Sequence, residues 1–160
     1  MPVGQTNWRW CHKCQGMYFG GSATQGVCPA GGQHDHTGSG NYDLAHDWAA
    51  APGQSNWNWC NKCQGLHFGG SPGVCPAGGA HSTAGSGDYK LVMNAWETPA
   101  QTNWLWCNKC QGLHYGGSPG VCPAGGTHIL PAAEIIVWLT PKNLFIMIRG
   151  RSWEERLFCW

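Results

Sequence analysis

Cys11, Cys14, Cys28 and His34 are followed by Cys60, Cys63, Cys75 and His81, and then by Cys107, Cys110, Cys122 and His128. In each set two cysteines form a Cys-x-x-Cys knuckle, and the histidine stands six residues after the third cysteine. Three thiolates and one imidazole are a ligand set that zinc takes in tetrahedral structural sites. The competing chemistry is disulfide formation, the usual staple of small cysteine-rich domains. Ten cysteines make an even total. Yet each repeat contributes three, so every repeat would have to share a bridge or keep a free thiol. Cys159 lies outside the pattern. Metal leaves each repeat complete in itself and is the preferred reading, with a free histidine and an open fourth position as its variant.

The letters around the ligands agree with a cage. In Cys-x-Lys-Cys-Gln-Gly the chain must turn so that both sulfurs face one point, and Gly16, Gly65 and Gly112 are expected to supply positive φ there. Lys13, Lys62 and Lys109 sit between the paired thiolates, where an ammonium offsets the net −1 of a zinc with three thiolates. The second half, Cys-Pro-Ala-Gly-Gly-x-His, carries paired glycines that let the backbone fold close around an ion. His36 and His46 keep no such spacing and are expected to be solvated.

The ligands belong to a repeat of about 48 residues, and a period of this size points to an array of small units. The units start at Gln5, Gln54 and Gln101, and each opens with Asn-Trp-x-Trp. Trp8 and Trp10, Trp57 and Trp59, and Trp104 and Trp106 are spaced i and i+2, on one face of a strand. Leu66-His67-Phe68 reads as the return strand of a hairpin, and Tyr89-Lys90-Leu91-Val92-Met93 as a third strand. Gly and Pro are too frequent for much helix before His128. The expected fold is all-β: three tandem zinc-stapled hairpin units, similar to zinc ribbons, with an approximate threefold arrangement. They span 4–50, 51–98 and 99–128, with linkers around Pro52 and Pro99 and an irregular tail over 129–160.

Aliphatic residues are scarce, so a unit this small needs staples as well as core. At least one indole of each pair should therefore be core, and the other is a candidate ligand surface. The formal charge of +1 announces neither nucleic acid nor an anionic membrane. Three loaded cages take it to about −2, because each carries −1. Single-stranded nucleic acid, which stacks on aromatics within a basic groove, stays as the alternative partner, with few cations to serve it. No stretch offers roughly twenty uninterrupted apolar residues for a membrane span. Met1-Pro2-Val3-Gly4-Gln5 shows no charged-then-apolar leader, which points to the cytoplasm or to an unconventional export route.

Trp-x-Trp-Cys-x-Lys-Cys-x-Gly-Leu-x-Phe followed by Cys-Pro-Ala-Gly-Gly-x-His resembles tandem modules of uncharacterised bacterial proteins, over residues 4 to about 128. The resemblance brings no activity with it. A zinc closed by four protein ligands does not activate water. An open site would resemble a deaminase centre, but the His-x-Glu of that chemistry is missing. Asp35, Asp43, Asp47, Asp88 and Glu97 do not recur from unit to unit, so no general base repeats with the cage. The expectation is a binding or structural module, not an enzyme. Its favoured partner is a carbohydrate or another neutral surface such as a protein, since indoles beside Asn, Gln and Ser suit sugar rings. A disulfide-stapled secreted repeat is the further alternative.

After His128 the repeat stops, and Ile129 to Trp138 match nothing in the other units. Codons exist for these ten residues (ATT CTA CCG GCA GCG GAA ATT ATA GTT TGG) that read two bases later as Ser-Thr-Gly-Ser-Gly-Asn-Tyr-Ser-Leu. That spells the missing Gly-Ser-Gly-x-Tyr-x-Leu of units one and two. Residues 129–160 are therefore expected to be an out-of-frame tail. It should leave the third unit without its final strand, give Cys159 no metal site, and expose Leu144 to Ile148 as a self-associating segment.

Overall fold

The computed structural model of the protein describes residues 4–51, 53–93, 100–129 and 134–138, and within these it contains strands and no helix. Unit one has β1 (Gly4–Trp10), β2 (Met17–Phe19) and β3 (Tyr42–His46). Unit two has β4 (Gln54–Trp59), β5 (Leu66–Phe68) and β6 (Tyr89–Met93). Unit three has β7 (Ala100–Trp106), β8 (Leu113–Tyr115) and β9 (Glu134–Trp138). In each unit the long first strand pairs antiparallel with the short second on one edge and with the third on the other.

Each first strand carries a bulge, and the bulge explains much of the repeated sequence. Its register shifts just before the first tryptophan, where Asn7, Asn56 and Asn103 have φ of 70°, 70° and 68°. Asparagine tolerates this left-handed conformation better than most residues. The bulge leaves amides unpaired by the ladder, and the Gly-Ser-Gly-x-Tyr-x-Leu segment satisfies them. Ser39 and Ser86 accept from the Trp10 and Trp59 amides at 2.8 Å. Asn41 and Asp88 accept from the Asn7 and Asn56 amides at 2.7 and 2.6 Å. The Tyr and Leu of the segment then fall in the core.

The units share one core instead of keeping three. Trp8, Trp57 and Trp104 are at most 1% exposed and lie in a single cluster with Met17, Leu66, Leu113, Tyr42, Tyr89, Leu44 and Leu91. An indole is the right filler here, because one side chain buries 150–250 Å² where several aliphatics would otherwise be needed. The links between units run in one cyclic order. The Phe19, Phe68 and Tyr115 amides donate to the Gln64, Gln111 and Gln15 carbonyls at 2.8, 2.9 and 2.8 Å, from unit one to two, two to three and three to one. Tyr42 Oη donates to Gln101 and Tyr89 Oη to Gln5, two links that run in the opposite sense. The three-unit arrangement is thus approximately threefold.

One expectation is corrected here. The third unit does not lack a final strand: Glu134–Trp138 pairs with β7, and Ile135 and Val137 stand opposite Trp104 and Gln101. Those are the register places of Tyr42 and Leu44 opposite Trp8 and Gln5, and of Tyr89 and Leu91 opposite Trp57 and Gln54. β9 also extends β6 through Val92↔Ile136 and Met93↔Ile135. An apolar, β-branched run meets the needs of that place even though its letters differ from the repeat. The indoles follow the expectation that at least one of each pair is core: Trp8, Trp57 and Trp104 are buried, and Trp10, Trp59 and Trp106 are half-buried against them. The linkers at Pro52 and Pro99, Cys159 and the segment from Leu144 to Ile148 lie outside the described residues.

The ring makes a graded prediction. Tyr89→Phe removes one inter-unit hydrogen bond and should cost about 1 kcal/mol. Trp57→Ala opens a cavity in the shared core and should cost about 3–5 kcal/mol. Urea unfolding of the zinc-loaded protein measures both. Near-equal losses would mean that the indole is not the core filler described.

Candidate metal centres

Each cage starts where a first strand ends. Cys11 turns the chain by donating its amide to the Gly16 carbonyl at 2.9 Å and accepting from the Gln15 amide at 2.8 Å, and units two and three repeat both bonds. The left-handed residue is the glutamine, with φ of 67°, 67° and 66° at Gln15, Gln64 and Gln111, and not the glycine after it. Side-chain bonds compensate the strain. Gln15 Oε1 accepts from Trp10 Nε1 at 3.0 Å and its Nε2 donates to the His12 carbonyl at 2.8 Å. Gln64 and Gln111 do the same. Glycine follows for another reason. A Cβ at Gly16, Gly65 or Gly112 would lie 3.3–3.4 Å from the second knuckle sulfur.

The third cysteine sits on a loop closed by the paired glycines. The Cys28 amide donates to the Gly32 carbonyl at 2.8 Å, with Gly31 and Gly32 at φ of 100° and 64°. The knuckle lysines tie the two halves together. Lys13, Lys62 and Lys109 Nζ donate to the Gly31, Gly78 and Gly125 carbonyls at 2.8, 2.7 and 2.8 Å.

All twelve expected ligands are brought together, four by four, with the ligand atoms of each set within 4.8 Å of one another. The distances discriminate between chemistries. A tetrahedron with Zn–S of about 2.3 Å and Zn–N of about 2.0–2.1 Å has S–S edges of about 3.8 Å and S–N edges of about 3.5–3.6 Å. The first and third sulfurs are 3.9, 3.8 and 3.9 Å apart in the three cages. The second sulfur and the histidine Nδ1 are 3.5, 3.6 and 3.6 Å apart. A disulfide needs about 2.05 Å, and the nine cysteines are free. Three Cys₃His cages of zinc dimensions therefore form, each closed by four protein ligands.

Nδ1 faces the cage, so the other ring nitrogen is free to donate outward, as metal-bound histidines usually do. His81 Nε2 donates to the Cys110 carbonyl of the next unit at 3.1 Å. Backbone amides of Asp35 and Ser82 approach the Cys11 and Cys60 sulfurs at 3.4 Å, which favours thiolate. Hydrogen bonding from the second knuckle cysteine lowers Cys11, Cys60 and Cys107 well below the usual thiol range. The partner thiols Cys14, Cys63 and Cys110 are pushed up by that bond. A zinc bound by these residues would displace the retained proton and make all three sulfurs anionic.

A layer over each ligand histidine was not foreseen. Tyr18, His67 and His114 stack on His34, His81 and His128 at 4.5, 4.3 and 4.2 Å between ring centres. The sequence signal was an aromatic ring at one repeated place. His67 and His114 are 1% and 0% exposed, whereas Tyr18 reaches Gln25 and His36 with its hydroxyl. His36 is exposed, as expected, and its ring also meets the Tyr18 hydroxyl, whereas His46 is half-buried and bonds Asp47 at 3.0 Å.

Comparison with protein-family models, curated proteins and solved structures finds no match for the chain. The centres are defined by their own geometry.

Burial, reinforced by the neighbouring ligand histidines, lowers His67 and His114 from 6.5 to about 4. Above pH 6.5 both folded and unfolded chains hold these rings neutral, and the fold bears no penalty. As pH falls from 6.5 towards 4 the unfolded chain takes up protons that the folded one refuses, so stability drops across that window. A His67→Phe/His114→Phe double variant should show a shallower drop in denaturation midpoint over that range, at fixed excess zinc. Identical slopes would show that these rings do not titrate as described.

Proposed function

We propose that the protein is a zinc-stabilised binding scaffold whose three units present equivalent sites to a carbohydrate or another neutral surface, and that it is not an enzyme. The observation that carries this reading is the half-buried second indole of each unit, which in units one and three also meets an aromatic ring of a neighbouring unit. Trp10 lies 6.5 Å from Tyr115 of unit three, and Trp106 lies 6.3 Å from Phe68 of unit two, both edge-on. Each ring is held by a glutamine through its Nε1, and Gly38 and Gly85 lie against Trp10 and Trp59 where any side chain would cover the ring. A fixed aromatic face beside amides suits the CH face and hydroxyls of a sugar.

Closed cages support a structural role for the metal, because no coordination position is left for water. Three weak equivalent sites would gain avidity on a polymeric ligand. Charge argues against the nucleic-acid alternative, since loading takes the chain from +1 to about −2.

Screening on a glycan array, beside a single-stranded DNA shift assay at two salt concentrations, tests the proposal. Trp59→Ala should weaken binding to a polymeric glycan several-fold. The triple Trp10→Ala/Trp59→Ala/Trp106→Ala variant should abolish it while the zinc content stays at wild-type level. Retained binding by the triple variant, or DNA binding that weakens steeply with salt, would refute this ligand class.

A further inference from the structure

We infer that the three zinc cages form one cooperative set, each completed by the preceding unit of the ring, so that zinc is taken up and released by all three together. This rests on the zinc reading of the cages. The contact is the same at all three junctions. Gly26, Gly73 and Gly120, with φ of 68°, 60° and 60°, lie over the carbonyls of Cys63, Cys110 and Cys14 in the next unit. A Cβ on them would come within 2.1, 2.3 and 2.2 Å of those oxygens. Each carbonyl belongs to the second knuckle cysteine of the neighbouring cage.

Polar and apolar contacts accumulate on the same spot. The Val27 amide donates to the Cys63 carbonyl at 3.3 Å, and His81 Nε2 donates to that of Cys110 at 3.1 Å. Val27 packs on the cage of Cys60, Cys63 and Cys75, and Val121 packs on that of Cys11, Cys14 and Cys28. The segment doing this, Gly-Val-Cys, ends in the third cysteine of its own cage, so a zinc bound there anchors it. Loss of zinc from one unit frees that segment, uncovers the next unit's knuckle, and weakens its hold on zinc in turn. The ring closes this dependence on itself, which a linear string of zinc fingers does not do.

Native mass spectrometry of the full chain, titrated with zinc after chelation, reads the coupling directly. Independent sites at half loading would put about three quarters of the molecules in one- and two-zinc species. Coupling of the ordinary size, about 5- to 150-fold between sites, leaves mostly zero- and three-zinc species. Gly73→Val alters no ligand, yet it should speed chelator-driven alkylation of Cys107, Cys110 and Cys122 in unit three. A graded, statistical ladder of one-, two- and three-zinc species overturns the cooperative reading. A chain that takes no zinc overturns the metal reading itself, which is a separate outcome.

A different observation carries a second inference. The geometry points to residues 129–138 as an out-of-frame reading of the repeat's own last strand. β9 occupies the third-strand place of its unit, and Ile135 stands in the register of Tyr42 and Tyr89. Codons 135 and 136 together spell the shifted Tyr. The same frame continues past the shifted Leu with Ala or Val, according to the codon used for Leu139, as Ala45 and Val92 follow Leu44 and Leu91. The ring also shows what the shift removed. Tyr42 and Tyr89 donate to Gln101 and Gln5, and the cyclic order assigns the third tyrosine to Gln54. Reading the gene tests this: one added base at codon 129 should restore Gly-Ser-Gly-x-Tyr-x-Leu in frame. The chain restored in this way should unfold at a higher temperature than the present one. If no single-base change near that codon restores the motif, or the restored chain is no more stable, the inference is wrong.

Discussion

The fold depends on drawing four side chains to a point about 2 Å from each of them, three times over, in a chain with little else to hold it. Three thiolates cannot lie within 4.8 Å of one another in a protein interior without a counter-charge, and a dication would supply it. A structural zinc in a small module contributes on the order of 10 kcal/mol of folding free energy. That exceeds what a unit built around one indole and two or three aliphatic residues can gather from burial. The repeat letters follow from this constraint. A left-handed glutamine turns the knuckle, a glycine clears the sulfur, paired glycines bring the third cysteine round, and a lysine ties the halves.

The indole core and the cages are two layers of one ring. Trp8, Trp57 and Trp104 fill the centre, while the second indole of each pair bonds the knuckle glutamine through its Nε1. The same glutamine thus ties each knuckle to the second indole of its own unit. Metal, core and rim are positioned by the same few residues.

Much of this was legible in the letters, because zinc ligands carry their spacing in sequence. Cys-x-x-Cys, the third cysteine and the histidine six residues later name all twelve ligands that the fold brings together. The strands were readable from Asn-Trp-x-Trp and Leu-His-Phe. Less legible was anything set by a contact between units. Gly26, Gly73 and Gly120 look like ordinary loop glycines until the next unit's carbonyl is placed against them. Positive φ, expected at Gly16, falls on Gln15 instead, because the side-chain bonds that let glutamine accept the strain depend on the folded indole. β9 was missed because strand pairing asks for extended, β-branched residues in register, and Ile135, Ile136 and Val137 satisfy that without matching the repeat.

The central claim is that each cage holds one zinc through three sulfurs and one imidazole nitrogen. X-ray absorption at the zinc edge on metal-saturated protein tests it most directly, combined with elemental analysis. The account predicts three zinc ions per chain, with an average shell of three sulfurs at about 2.3 Å and one nitrogen at about 2.0–2.1 Å. A shell containing water or carboxylate oxygen, fewer than three sulfurs, or a native protein without zinc whose cysteines are oxidised would contradict it.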